Sequence, residues 1–214
     1  MAKVLKTTDV CLLLLRAAIV ILIVVSWPLS RVLPDWAGWE DGPIENAQAV
    51  LLLFGMSFAA YFAATEIRQS PRWLWCAAIP IWLIFLGRQL GWGADLGSPV
   101  RLGPHGPVFA AGTLWYEPAV HPVIIALLAF AGYLFIRNSG TRWWATLIRR
   151  HCFPSFEFLV AALGALVSTA AKGHMGVSIA LDEVPVQMLA KLAELVTCLA
   201  LLSAQWRLHL NPGD

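Results

Sequence analysis

Charge is scarce in this sequence. Asp, Glu, Lys and Arg make up only 13% of its 214 residues, against roughly 25% in an ordinary soluble domain, and no polar segment is long enough to bury a core of its own. No soluble domain is therefore expected. The charge that is present nearly cancels, 15 Lys and Arg against 13 Asp and Glu, which is too small an excess to recruit nucleic acid as a partner. Cysteine is also sparse. Cys11, Cys76 and Cys152 fall near one set of helix ends and Cys198 lies inside an apolar run, so no structural disulfide is expected. Nucleophile-elbow, phosphate-loop and dinucleotide glycine patterns are missing. So are HxxxH, HExxH and CxxC spacings. His105, His121 and His174 map to one side of the chain with Glu117 and Asp182 nearby, but without ligand spacing they read as separate polar residues rather than a zinc site. No histidine lies mid-span to ligate a haem. Neither a metal nor a cofactor is expected.

What the sequence has instead is apolar length. Hydrophobic residues make up 59% of it, mean hydropathy is +0.70, and eleven residues are Trp. Crossing a hydrocarbon core of about 30 Å takes about 20 apolar residues. Six stretches qualify, at about 11–33, 44–65, 73–90, 118–136, 156–171 and 184–206. The fold class expected is all-α, a polytopic bundle of six transmembrane helices in a single domain over 1–214, with the tryptophans as interfacial anchors. The fifth stretch is the shortest, and it spans comfortably only if Lys172 snorkels. The first is too long for a signal peptide and ends in "SWPLSRVLPDW" without a small-x-small site, so it is expected to stay as a span.

Loop charges set an orientation. Lys3, Lys6, Arg68, Arg72, Arg137, Arg142, Arg149, Arg150 and Arg207 flank alternate ends. The opposite ends hold Arg31, Arg88, Arg101 and Lys172, and collect Asp35, Glu40, Asp41, Asp95, Glu117, Asp182 and Glu183. By the positive-inside rule both termini are cytoplasmic. On that side "TRWWATLIRR" (141–150) sets Trp143, Trp144, Leu147 and Ile148 at helical spacing beside arginines; it reads either as an interfacial helix on anionic headgroups or as an orienting basic loop. On the outer side, the Gly/Pro-rich loop 91–117 carries Val108, Phe109, Leu114, Trp115 and Tyr116. The loop reads as a disordered connector, a short hairpin or a lid over the bundle mouth, and because leaving those side chains in water is costly an ordered cover is expected. Gly55, Ala59 and Ala63, and Gly164 and Ser168, recur at four-residue spacing and mark close-packing faces.

The sixth span contains the feature least like a lipid-facing helix. Glu183, Gln187, Lys191 and Glu194 fall within an arc of roughly 80°, forming one polar stripe. Glu194 lies about 16 Å along the helix from Glu183 and so near mid-bilayer, where a lone charge costs on the order of 2.5–3.5 kcal/mol. The stripe should therefore face the bundle interior or a water-filled cavity. Lys191 and Glu194 can also pair across one turn as a structural cross-link. At matching outer depth the other spans offer Glu45 and Gln48, Arg88 and Gln89, Glu117 and His121, and Ser168, Lys172 and His174. Lys172, His174, Glu40 and Asp41 read as ordinary helix-end residues. The expected polar cavity is lined by Glu45, Gln48, Arg88, Glu117, His121, Gln187, Lys191 and Glu194.

The stretches "WEDGPIENAQAVLLL", "FLGRQLGW" and "DEVPVQMLAKLAELV" resemble a pattern of small uncharacterised bacterial multi-spanning inner-membrane proteins. These share an acidic-Gly-x-x-Glu start to an early helix, an Arg-containing helix exit and a late helix with spaced acidic residues. The resemblance implies a bacterial inner-membrane location and marks Glu45, Arg88 and Glu194 as characteristic positions. Gln89 stands where such proteins often have an acidic residue.

Three functions compete at this stage. The expected one is binding or transport of a small molecule or ion in an outward-facing cavity, with Glu194 as a proton-coupling group. The alternatives are a membrane enzyme acting on a lipid or isoprenoid, using Glu45, Glu117, His121 or Glu194 as acid/base groups, and an accessory subunit whose stripe pairs with a membrane-protein partner. A lipid-facing cavity favours the enzyme, and an outward-pointing stripe favours the subunit.

Overall fold

The computed structural model describes residues 7–65, 69–103, 106–109, 114–172 and 183–210. In chain order these form α1 (Thr7–Val32), a 3-10 turn (Asp35–Gly38), α2 (Pro43–Thr65), α3 (Gln69–Gln89), a second 3-10 segment (Gly91–Leu96), β1 (Arg101–Gly103), β2 (Gly106–Val108), α4 (Glu117–Arg137), α5 (Gly140–Arg149), α6 (Ser155–Ala171) and α7 (Glu183–Leu210). The chain is all-α apart from one small hairpin. Six of the helices overlie the six apolar stretches, their ends differing by about one helical turn at most.

Four stretches, Val10–Val32, Asp35–Thr65, Glu117–Arg137 and Pro185–Leu210, are long and apolar enough to cross a membrane. The 17-residue α6 is apolar but extends only about 25 Å, short of a hydrocarbon core of about 30 Å. Leu13, Leu14, Ile21 and Val24 of α1, Ile125 and Ile136 of α4, and Leu159 and Leu163 of α6 are all exposed. Apolar surface this continuous is what a lipid-facing helix presents, and a soluble monomer rarely exposes as much. Pro28, Pro80 and Pro122 lie inside helices, as membrane helices tolerate.

The chain divides into two compact units. One is built from α1, the first 3-10 turn, α6 and α7. Here α7 packs along both α6 and α1, and it can approach closely because Ala190, Ala193, Ala200 and Ala204 are small and buried. Ile19 of α1, Val160 and Ala161 of α6, and Val196 and Ala200 of α7 form one core cluster. Ala37, Met188 and Leu192 form another, beneath Leu22, Leu29, Leu33 and Ile44. Gly164 and Ser168 of α6 are buried. A Cβ on Gly164 would lie 2.9 Å from the Ala193 carbonyl oxygen and closer still to Thr197 Oγ1, so this small-residue face sets how near α6 comes to α7.

The other unit runs from Glu45 to Phe153. Its α3 packs along α4, and α2 meets α3 where Gly55 faces the Trp82 ring. Trp75 is fully buried with its ring centroid 5.1 Å from that of Phe62. α4 ends at Asn138, whose Nδ2 donates to the Leu134 carbonyl, and Ser139 turns the chain through a left-handed φ of 54°. α5 follows and is strongly amphipathic. Leu147 is wholly buried, Trp143 packs edge-on to Trp73, and Trp144 packs against Phe135 and Phe153. Much of the apolar side of α5 thus covers its own unit, which leaves Ile148, Arg142, Arg149 and Arg150 exposed.

In the long loop, β1 and β2 pair antiparallel with Arg101 opposite Val108. Val108, Phe109, Leu114 and Tyr116 are half-buried, but Trp115 is 90% exposed. This departs from the expectation that all five apolar side chains are covered. Trp115 sits just before α4, packed edge-on to Tyr116, the placement of an interfacial anchor rather than of a core residue.

Candidate functional site

The unit formed by α2 to α5 holds a cavity of about 340 Å³ lined by Arg88, Trp92, Leu114, Glu117, Val120, His121 and Ile124. Arg88 lies in the last turn of α3. Glu117 opens α4 and His121 follows one turn later, so both side chains share a face. Trp92 reaches the cavity through an unusual backbone. The chain leaves α3 through Gly91 (φ 50°), Trp92 (φ 54°) and Gly93 (φ 99°), and a left-handed tryptophan is a strained choice that the surroundings must hold. Two contacts hold it. The Tyr116 hydroxyl donates to the Trp92 carbonyl at 2.7 Å, and the ring lies on Gly87, where an added Cβ would meet it at 2.8 Å.

Arg88 and Glu117 have opposite charges and line the same cavity, yet they form no ion pair with each other. Among the described residues no side chain of these two or of His121 has a hydrogen-bond or ion-pair partner. The two charges are held apart, each keeping capacity for a ligand. Leu114, Val120 and Ile124 make the rest of the lining largely apolar.

Glu45 and Gln48, expected in the same site, take part in a different network. Gln48 is fully buried. Its Oε1 accepts from Gln89 Nε2 at 2.7 Å, and the same nitrogen reaches Glu45 Oε1 at 3.2 Å. The other oxygen of Glu45 accepts the backbone N–H of Asp41 at 2.8 Å, which ties down the left-handed Asp41 (φ 63°) at the start of α2. Gln89, where the resemblance expected an acid, thus supplies the donors that join α3 to α2. Glu40 accepts the backbone N–H of Phe109 at 3.4 Å, so it tethers the hairpin strand rather than standing as a free helix-end residue.

The stripe of α7 lies in the other unit. Gln187 is exposed and Lys191 half-buried. Glu194 faces α6, where its Oε1 accepts from Ser168 Oγ at 2.8 Å and pairs with Lys172 Nζ at 2.5 Å. The ion pair therefore runs between helices. Lys172, read from sequence as an ordinary helix-end residue, is instead the partner of Glu194, because the close Gly164–Ser168 face brings the end of α6 within reach of α7. Within the α2–α5 unit, Arg88, Glu117 and His121 line one cavity while Glu45 and Gln48 belong to a separate hydrogen-bond network; within the unit of α1, α6 and α7, Glu194 pairs with Lys172.

Among the described residues the most completely buried charge is one that residue spacing does not reveal. Glu157, in the first turn of α6, has no exposed surface. Its Oε1 accepts from Arg16 Nε at 2.7 Å and lies 2.6 Å from Arg16 Nη2 in an ion pair, and its Oε2 accepts from Arg207 Nη1 at 3.3 Å. One carboxylate joins α1, α6 and α7. The signal was Arg16 itself, a charge inside "LLLLRAAIV" that demands an intramembrane partner.

His105, His174 and Asp182 lie outside the described residues. Among those described, no three His, Cys, Asp or Glu side chains gather to hold a metal. Comparison with family models, with curated proteins and with solved structures returns no match to this chain.

Proposed function

We propose that this chain is a multi-pass protein of the bacterial inner membrane, with six helices crossing the bilayer and both termini cytoplasmic. We further propose that it binds or carries a small molecule or ion in the outward-facing cavity of Arg88, Trp92, Glu117 and His121. Four helices of membrane-crossing length and composition and the alternation of basic and acidic loops support the membrane part. The exposed arginines of α5 then face cytoplasmic headgroups.

One observation carries the binding part. A guanidinium, a carboxylate and an imidazole, their side chains without partners among the described residues, line a cavity of about 340 Å³, within the size range of small-molecule sites. A structural ion pair would have closed the distance between Arg88 and Glu117. Native mass spectrometry of the purified protein tests this: a co-purifying small species is expected in the wild type and lost in both Arg88→Gln and Glu117→Gln. Equal retention in both variants would remove the cavity from the function. Reporter fusions after Ser98 and after Thr146 test the topology, with the first expected outside and the second inside.

A further inference from the structure

We infer that the ligand is a zwitterionic amphiphile, with an anionic phosphate and a primary ammonium in its head and an acyl chain behind it, as in an aminophospholipid. This rests on the cavity of Arg88 and Glu117 being the binding site. A simple anion at Arg88 would be repelled by Glu117, and a simple cation at Glu117 by Arg88, since both line the one cavity. A molecule carrying both charges satisfies both. The phosphate fits the planar guanidinium fork, with the His121 ring one turn from Glu117 as a further donor. The ammonium fits the Glu117 carboxylate, with the Trp92 ring as an aromatic face for the cation.

The tail follows from the wall. Val120 and Ile124 lie three and seven residues beyond Glu117 on α4, about 4.5 and 10 Å further along the helix axis. Leu128, one turn beyond Ile124 on the same face of α4, is 49% exposed. The face of α4 that lines the cavity thus mixes charged and apolar groups and continues past Ile124 into exposed apolar helix surface, which suits a molecule with a charged head and an apolar tail. A free zwitterion shares the head chemistry but has no use for that wall.

Binding of three probes to the purified full-length protein, followed by native mass spectrometry, separates these cases: phosphatidylethanolamine, phosphatidylglycerol, and glycerophosphoethanolamine, which has the head without chains. Phosphatidylethanolamine is expected to bind at least about tenfold more tightly than either of the others, and Arg88→Gln and Glu117→Gln are each expected to weaken it by about tenfold or more, the scale of one charge-assisted hydrogen bond. Ile124→Trp, which fills the wall, is expected to weaken the lipid at least about tenfold more than it weakens glycerophosphoethanolamine. Equal binding of phosphatidylglycerol with no effect of Glu117→Gln would overturn the zwitterion. Equal binding of glycerophosphoethanolamine would overturn the amphiphile and leave a free zwitterion. In both of those results the cavity itself survives through its dependence on Arg88. If no bound species responds to either charge variant, the site and its ligand fall together.

Discussion

Replacing Glu157 by Gln should be among the most damaging single substitutions in this protein that keep side-chain shape. The side chain is fully buried and accepts one hydrogen bond from Arg16 Nε at 2.7 Å and one from Arg207 Nη1 at 3.3 Å, with Arg16 Nη2 in ion-pair contact at 2.6 Å. Removing one partner of a buried ion pair typically costs about 3–5 kcal/mol, because the remaining charge is left without compensation. That range needs reducing here. The Arg16 and Arg207 side chains are 35% and 19% exposed, so solvent or headgroups partly take over their solvation, and the glutamine oxygen still accepts one bond. A loss of about 2–3 kcal/mol is the expectation, or about 4–12 °C in Tm at the 2–4 °C per kcal/mol typical of chains this size. The assay is thermal unfolding in detergent, followed by loss of the monodisperse peak, for Arg16→Gln, Glu157→Gln and the double variant. The double variant should recover part of the loss, with a coupling of about 1–2 kcal/mol between directly contacting charges. A Glu157→Gln protein within about 2 °C of wild type, or effects that simply add, would show that this carboxylate does not join the three helices.

The Glu194–Lys172 pair is more exposed, at 25% and 42%, and Glu194→Gln should cost less than about 1 kcal/mol in the same assay; a loss equal to that of Glu157→Gln would contradict the ranking by burial. Gly55→Ala should cost about 1–3 kcal/mol by overpacking, since its Cβ would come within 2.7 Å of the Trp82 ring. Trp82→Leu should recover part of that loss in the double variant, and a neutral Gly55→Ala would mean the ring moves aside freely.

The buried triad also shows which kind of information the sequence holds. Apolar run length is a local quantity and depends only on neighbouring residues, so all six long helices could be read from it to about one turn at each end. The amphipathic pattern of α5 and the close-packing glycines Gly55 and Gly164 are likewise local, since periodicity along a helix shows which side chains share a face. Glu194 is legible as a charge in apolar surroundings, but its partner Lys172 is not, and neither is the meeting of Glu157 with Arg16. Arg16 and Glu157 are 141 positions apart, and nothing in the chain between them records that they meet. The same holds for Gln89 with Gln48, and for Arg88 with Glu117 and His121, which only the packing of α3 along α4 brings to one cavity.

The sequence by itself determined an all-helical, lipid-compatible chain, because backbone hydrogen bonds in an apolar medium must close within each segment. It also set which charges sit where they need a partner. Only the tertiary structure decided which partner each receives, because in an apolar environment helix contacts are selected by shape, through small residues such as Gly164 and Ala193, and the charges pair with whatever that packing brings within reach.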